Sequence, residues 1–320
     1  MDKGKWAFAP REGLSVAKNN SVCAFFYRQI IGKFATLCGM QAQDNARLKA
    51  LFKLMETETD EYGPLLKQAL ASAIKANPDE VQRTLAEEFA TTAPRNVMRM
   101  LEEICWDDLA QALSAFNAKI NPDLEDGLML LAKFTSPTTA RGDINEPLDA
   151  MARDLRPALL NATDYPEIIG LLGHFIFNLR GFHTLPAVTD IKDLSFTRFL
   201  ATKNGSVLEM ICLYLCLGQR FGLEMDAVDM AGRLLVHVRD TQNKTSFLID
   251  PLDNGKLLSE EDCRQYVRAR GLENEQDLFV PLSSRLLVRR FIANMIYILN
   301  KLHDERRLKY LRNYLEIIKG

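Results

Sequence analysis

Along most of the chain apolar residues recur at threes and fours, and along one short stretch they recur at twos. Residues 22–38 place Phe25, Ile30, Ile31 and Phe34 near one side, and residues 45–56 repeat that period with Leu48, Leu51, Phe52 and Leu54. Residues 62–75 continue it. Asn77-Pro78-Asp79-Glu80 offers a capping side chain, a proline for the first turn and two acids for the positive helix end, so a further helix starts there. Short helices are predicted over 95–105, 107–118 and 123–133, the last opened by Asn121-Pro122-Asp123. After a loop at 136–142, residues 143–159 read as an amphipathic helix on Ile144, Leu148, Met151 and Leu155, and 165–179 as an apolar helix ending at Gly181. Residues 283–319 form a helical hairpin broken at Leu302-His303-Asp304.

The period changes between 204 and 251. Gly205 turns the chain into an apolar helix that ends at Gly222, and residues 228–238 then alternate. Leu234, Val236 and Val238 share one strand face, while Arg233, His237 and Arg239 share the other. Residues 240–244 connect to a strand over 245–250 that closes on Asp250-Pro251. The fold class is therefore α+β, mainly helical, with a small antiparallel sheet. The first twenty residues are expected to run irregularly.

Composition narrows the partners. The 320 residues are 47% hydrophobic and 26% charged, with a formal net charge of -2, which gives no global attraction to nucleic acid or to an anionic membrane. Six scattered cysteines lack the spacing of zinc ligands or of a disulfide framework; buried thiols in a reducing, cytoplasmic compartment are expected, with no metal and no cofactor. Residues 1–20 hold four basic residues but no continuous apolar core, unlike a signal peptide, and residues 22–40 are interrupted by Arg28 and Lys33, so no membrane span is expected.

A helix start followed by two strands is an order in which a nucleophile, a base and an orienting acid can converge. The order resembles that of a papain-like or transglutaminase-like site, and this resemblance implies Val207, Arg233 and Asp250 for those places. Valine has no lone pair to offer, and arginine stays protonated near neutral pH and cannot act as a base. Asp250 either pairs with Arg233 or caps the turn that Pro251 begins. A relocated catalytic pair would be Ser206 and His237. Against it, a serine at a helix start is far more often a cap, and His237 lies four residues from Arg233, roughly 13 Å at about 3.3 Å per residue.

Other candidates have structural readings. Cys212 and Cys216 sit among leucines and read as core; His174 and His183 read as structural; Glu125 and Asp126 complement a helix dipole. The last hairpin carries an excess of positive charge, including Arg285, Arg289, Arg290, Arg306 and Arg307. A solvated face or an acidic protein partner explains it as well as nucleic acid does.

Several segments in order resemble the bacterial SirB-type transglutaminase-like family, across roughly residues 90–319. Leu124-Glu125-Asp126-Gly127 through Phe134 is similar to its acidic helix, and Leu148-Asp149-Ala150-Met151-Ala152 to its "L-D-x-x-A" segment. Phe175 to Phe182, Gly205 to Gly222, and Ile249-Asp250-Pro251 with Gly255-Lys256-Leu257-Leu258-Ser259 continue the order. Ser284 to Asn294 is similar to its "L-x-R-x-x-x-N" helix, which a tetratricopeptide-like helix pair follows. The resemblance implies a papain-like core with degenerate catalytic positions. Active transglutaminase-like enzymes have G-x-C where this chain has Gly205-Ser206-Val207; SirB-type relatives commonly have proline there but keep G-H-F where this chain has Gly232-Arg233-Leu234. The expected organisation is an N-terminal helical region (1–85), the transglutaminase-like domain (86–270) and a C-terminal helical hairpin (271–320). The expected function is a non-catalytic scaffold or regulator that binds a protein partner. A hydrolase or acyl-transfer enzyme using relocated groups, and a nucleic-acid-associated factor, are the alternatives.

Overall fold

Helix starts fall where side-chain acceptors are available. In the computed structural model, which describes residues 43–56, 62–89, 94–136, 139–185, 187–269, 271 and 280–319, Asn77 accepts from the Glu80 N–H and Asp123 from the Asp126 N–H, both at 3.1 Å. The helix expected over 22–38, the irregular first twenty residues, Cys23 and Cys38 lie outside the described residues.

The chain divides into two units between Ile104 and Cys105. The first contains α1 (Gln43–Glu56), α2 (Gly63–Ala76), α3 (Pro78–Glu88) and the beginning of α4 (Arg95–Ala118). Phe52, Met55, Leu70, Val81 and Met100 form its core. The two helices expected over 95–105 and 107–118 are one helix. No proline or glycine interrupts Cys105-Trp106-Asp107, and Trp106 is buried with its indole N–H donating to the Phe134 carbonyl.

In the second unit α5 (Leu124–Thr135) and α6 (Gly142–Leu159) precede α7 (Tyr165–Gly173). The expected single helix over 165–179 changes winding at its end: His174–Leu179 is a π-turn, with the Arg180 N–H donating to the Phe175 carbonyl five residues back. A parallel pair, β1 (His183–Thr184) with β2 (Asn204–Gly205), flanks a 3₁₀ turn (Ile191–Leu194) and α8 (Phe196–Thr202); so short a pair leaves no period in the sequence. The central helix α9 (Val207–Phe221) then leads into β3 (Glu224–Met230), β4 (Arg233–Asp240), β5 (Thr245–Asp250) and β6 (Lys256–Leu258). After α10 (Glu260–Arg268), β7 (Val280–Leu282) completes an antiparallel sheet ordered β6-β5-β4-β3-β7, and α11 (Ser284–Leu302) and α12 (Glu305–Ile317) form the hairpin.

The alternation in β4 divides the sheet into two faces. Ala227, Leu234, Val236, Val238 and Ile249 join the large core with α9 and α11. Val228, Met230, Leu235 and Leu248 instead meet Cys263, Tyr266 and Val267 of α10. Ala231 and Gly232, both at positive φ (51° and 86°), make the two-residue turn that fixes this register.

Gly127 sets how closely α5, α4 and α11 approach. A Cβ there would lie 2.5 Å from Val288 Cγ2 and 3.0 Å from the Phe116 ring. Gly127→Ala is expected to destabilise by about 1–2 kcal/mol despite alanine's better helix propensity, because overpacking outweighs that gain. Thermal denaturation reads it as a Tm lower by several degrees.

Candidate functional site

The region to examine is the start of α9 and the strand ends that carry Arg233 and Asp250. Ser206 is the N-cap of α9: its hydroxyl accepts from the Leu208 N–H at 3.2 Å, and Glu209 reaches back to accept from both the Ser206 N–H (2.9 Å) and the Ser206 hydroxyl. This is a capping box. The Ser206 hydroxyl donates to a carboxyl oxygen rather than to an imidazole, and Val207 follows it, half-buried against the large core.

Arg233 and Asp250 are ion-paired through Arg233 Nη2 and Asp250 Oδ2. Asp250 is fully buried, while the Arg233 side chain is 28% exposed and lies with its Cζ 5.1 Å from the Tyr266 ring centroid. Asp250 also accepts from the Leu252 N–H at 2.9 Å, capping the turn at Pro251–Asp253. The two readings of Asp250 are thus both realised, one on each oxygen.

Register places these groups on definite faces. Arg233 pairs with Met230, and Asp250 lies two residues beyond Leu248, so both belong to the layer covered by α10. Val207 packs in the opposite layer. The structure therefore brings Arg233 and Asp250 together and adds Tyr266, but assigns Val207 to the other side of the sheet. His237 shares its strand face with Arg233 and Leu235, pairing with Asp226 and Leu248, whereas Ser206 caps the helix on the other face. Burial, with help from Arg239, lowers the His237 pKa. A neutral imidazole results near pH 7, with Ser206 assigned to the opposite layer.

Three groups missed in the sequence turn out to organise the site. Glu209 is completely buried, and burial pushes its pKa up to about 7. The Ser206-x-x-Glu209 spacing was the available signal for its capping role. Arg220, near the end of α9, donates to both oxygens of Glu125 on α5, to Asp149 on α6 at 2.7 Å and to its own helix at the Cys216 carbonyl. Burial disfavours the cation, and the bonds to Glu125 and Asp149 outweigh that, so its pKa rises. Glu125 and Asp126 both stand in the first turn of α5, as a dipole complement requires, but Glu125 is in addition the buried partner of Arg220, while Asp126 remains partly exposed, bound by Lys119 and Arg141. The third group, Tyr266, gave no local signal.

Cys212 and Cys216 are buried core thiols whose pKa values burial pushes well up. Among the described residues, no three His, Cys, Asp or Glu side chains are grouped to hold a metal, and no helix is long and apolar enough to cross a membrane.

The hairpin arginines have partners within the chain. Arg285 donates to the carbonyls of Asn117 and Lys119 at the end of α4, and Arg289 donates to Leu315 and Ile318 at the end of α12, at 2.5 and 2.7 Å. Arg290 pairs with Asp229, Arg307 with Asp304 at 3.6 Å, and Arg306 stands 4.7 Å from the Trp106 ring centroid. The charge excess thus arises largely from arginines that cap helix ends and join elements.

Residues 142–293 match the family model described as the transglutaminase-like superfamily. The chain carries a transglutaminase-like domain. The matched span runs from α6 to α11 and includes Val207, Arg233 and Asp250, so the helix, sheet and ion pair described above all lie inside this domain. No curated protein and no solved structure matches the chain.

Proposed function

We propose that the chain is a non-catalytic scaffold or regulatory protein that acts by binding another protein, with its transglutaminase-like domain serving as architecture. The finer resemblance to SirB-type proteins, the degenerate catalytic positions and the tetratricopeptide-like reading of α11 and α12 belong to this proposal. The observation that carries it is Arg233: at the place of a general base stands a permanent cation, paired with Asp250 and stacked on Tyr266. Val207 at the nucleophile's place points the same way.

Against the relocated-enzyme alternative stand the engagement of Ser206 with Glu209 and the assignment of His237 to the opposite layer. Against the nucleic-acid alternative stands the engagement of Arg285, Arg289, Arg290, Arg306 and Arg307 within the fold. We place the protein in a reducing, cytoplasmic compartment, in keeping with the buried thiols of Cys212 and Cys216. Affinity capture at native abundance tests the proposal: a stoichiometric protein partner is expected.

A further inference from the structure

Among the described residues of the second unit, buried acids are neutralised or fully bonded, with one exception. Glu125 has Arg220 and Asp250 has Arg233, while Asp240 accepts from two backbone N–H groups and from Asn243. Glu209 is as deeply buried as Asp250, yet its bonds are to neutral donors, the Ser206 hydroxyl and the backbone N–H groups of Ser206 and Glu209. Its second oxygen, Oε1, is buried with no hydrogen-bond partner. Burial penalises an ionised carboxylate in that position by more than the bonds from Ser206 and from its own N–H favour it.

The surrounding groups deepen the asymmetry. Asp193, on the 3₁₀ turn, adds a like charge, though Arg198 of α8 holds it at 2.9 Å. The Cys212 thiol lies one turn further along α9, itself buried and neutral. Lys203 and His183, on the neighbouring segments, are exposed. The backbone at Gly205 is sealed, since a Cβ there would meet the Phe199 ring at 2.6 Å and Glu209 Cβ at 3.3 Å. Two backbone bonds tie this segment down, from the His183 N–H to the Lys203 carbonyl (2.8 Å) and from the Leu185 N–H to the Gly205 carbonyl (2.7 Å).

We propose that Glu209 is a proton-operated latch on the start of α9: the protonated carboxyl keeps the Ser206 cap closed, and its ionisation opens the cap and the backbone at Gly205 to water. The closed state holds the proton more tightly than the open state, in which the carboxyl regains its ordinary solvated affinity. Opening is therefore linked to proton release. Its equilibrium constant rises with pH from the ordinary carboxyl range, near 4.5, to the buried value of about 7, and levels off above it. Because the latch adjoins Val207 at the edge of the central helix, the same event alters the surface offered beside it, independently of whether a protein partner binds there.

Hydrogen exchange on the full chain tests this. After correction for intrinsic exchange rates, the amides of residues 205–210 are expected to lose protection on the order of tenfold or more between pH 5.5 and 7.5, while residues 213–217 of the same helix do not follow. Glu209→Gln, which keeps the shape but cannot ionise, is expected to abolish that pH dependence. Equal pH dependence in wild type and Glu209→Gln, or wild-type protection that does not change, overturns the latch. Should the variant fail to fold, the carboxyl ¹³C shift of Glu209 in the wild-type chain decides: a midpoint near 7 supports the latch, and one below about 5 overturns it.

Discussion

Arg220→Met is expected to destabilise the transglutaminase-like domain by about 3–5 kcal/mol, the range found when one partner of a buried ion pair is removed. The cation is 16% exposed and Glu125 10% exposed, so solvent replaces little of what is lost. Asp149, at 55% exposure, recovers most of its hydration and contributes little to the effect. Methionine keeps much of the arginine's aliphatic bulk, so packing changes less than charge. In a unit of this size the expected fall in Tm is on the order of 6–20 °C. A second substitution, Glu125→Gln, removes the stranded carboxylate, and the double variant is expected to regain part of the loss. Thermal and urea unfolding of the single and double variants check both statements, and additive losses would argue that the two groups act separately.

Arg233 offers the second large effect. Arg233→Ala leaves the fully buried Asp250 without its cation and removes the stack on Tyr266. Because Arg233 is 28% exposed, water reaches the vacated site and reduces the penalty; about 2–4 kcal/mol is expected. Arg233→His, which restores the residue type of a catalytic dyad, is also expected to lower Tm, since imidazole is shorter and cannot hold Asp250 while covering Tyr266. An unchanged Tm for Arg233→His would remove the structural account of this position. The same variant bears on chemistry: with Val207 in the opposite layer, restoring a histidine alone supplies a base with no nucleophile to activate.

The fold's outline was legible where local pattern decides structure. Period and capping residues located α1, α2, α5, α6 and the hairpin, and the alternation Leu234, Val236, Val238 separated the two faces of the sheet correctly. What failed depended on context that no local pattern records. Trp106 looked like a boundary between helices because its burial beside Phe134 is tertiary. β6 and β7 are three-residue strands defined only by their neighbours, and the π-turn at His174–Leu179 retains an ordinary apolar helical composition. Glu125 was legible as a dipole complement but not as an ion-pair partner, because Arg220 lies 95 residues away. The arginines of α11 read as a basic patch because the carbonyls they cap belong to distant helix ends.

At the site, the residue types were legible and their relations were only partly so. Val207 and Arg233 announced their own unsuitability for nucleophile and base, and the pairing of Arg233 with Asp250 was one of two readings that the structure combines. The burial of Glu209 was not legible. The pattern Ser206-x-x-Glu209 specifies a capping box, but whether that box faces water depends on Phe199 and the 3₁₀ turn, which fold over it from elsewhere.

We propose that this chain binds a protein rather than performing chemistry of its own. Affinity capture at native abundance, with quantitative mass spectrometry of wild-type, Ser206→Ala and His237→Ala chains, tests it most directly. The account predicts one stoichiometric protein partner, recovered equally by all three. Wild-type chain recovered without any stoichiometric protein would contradict it.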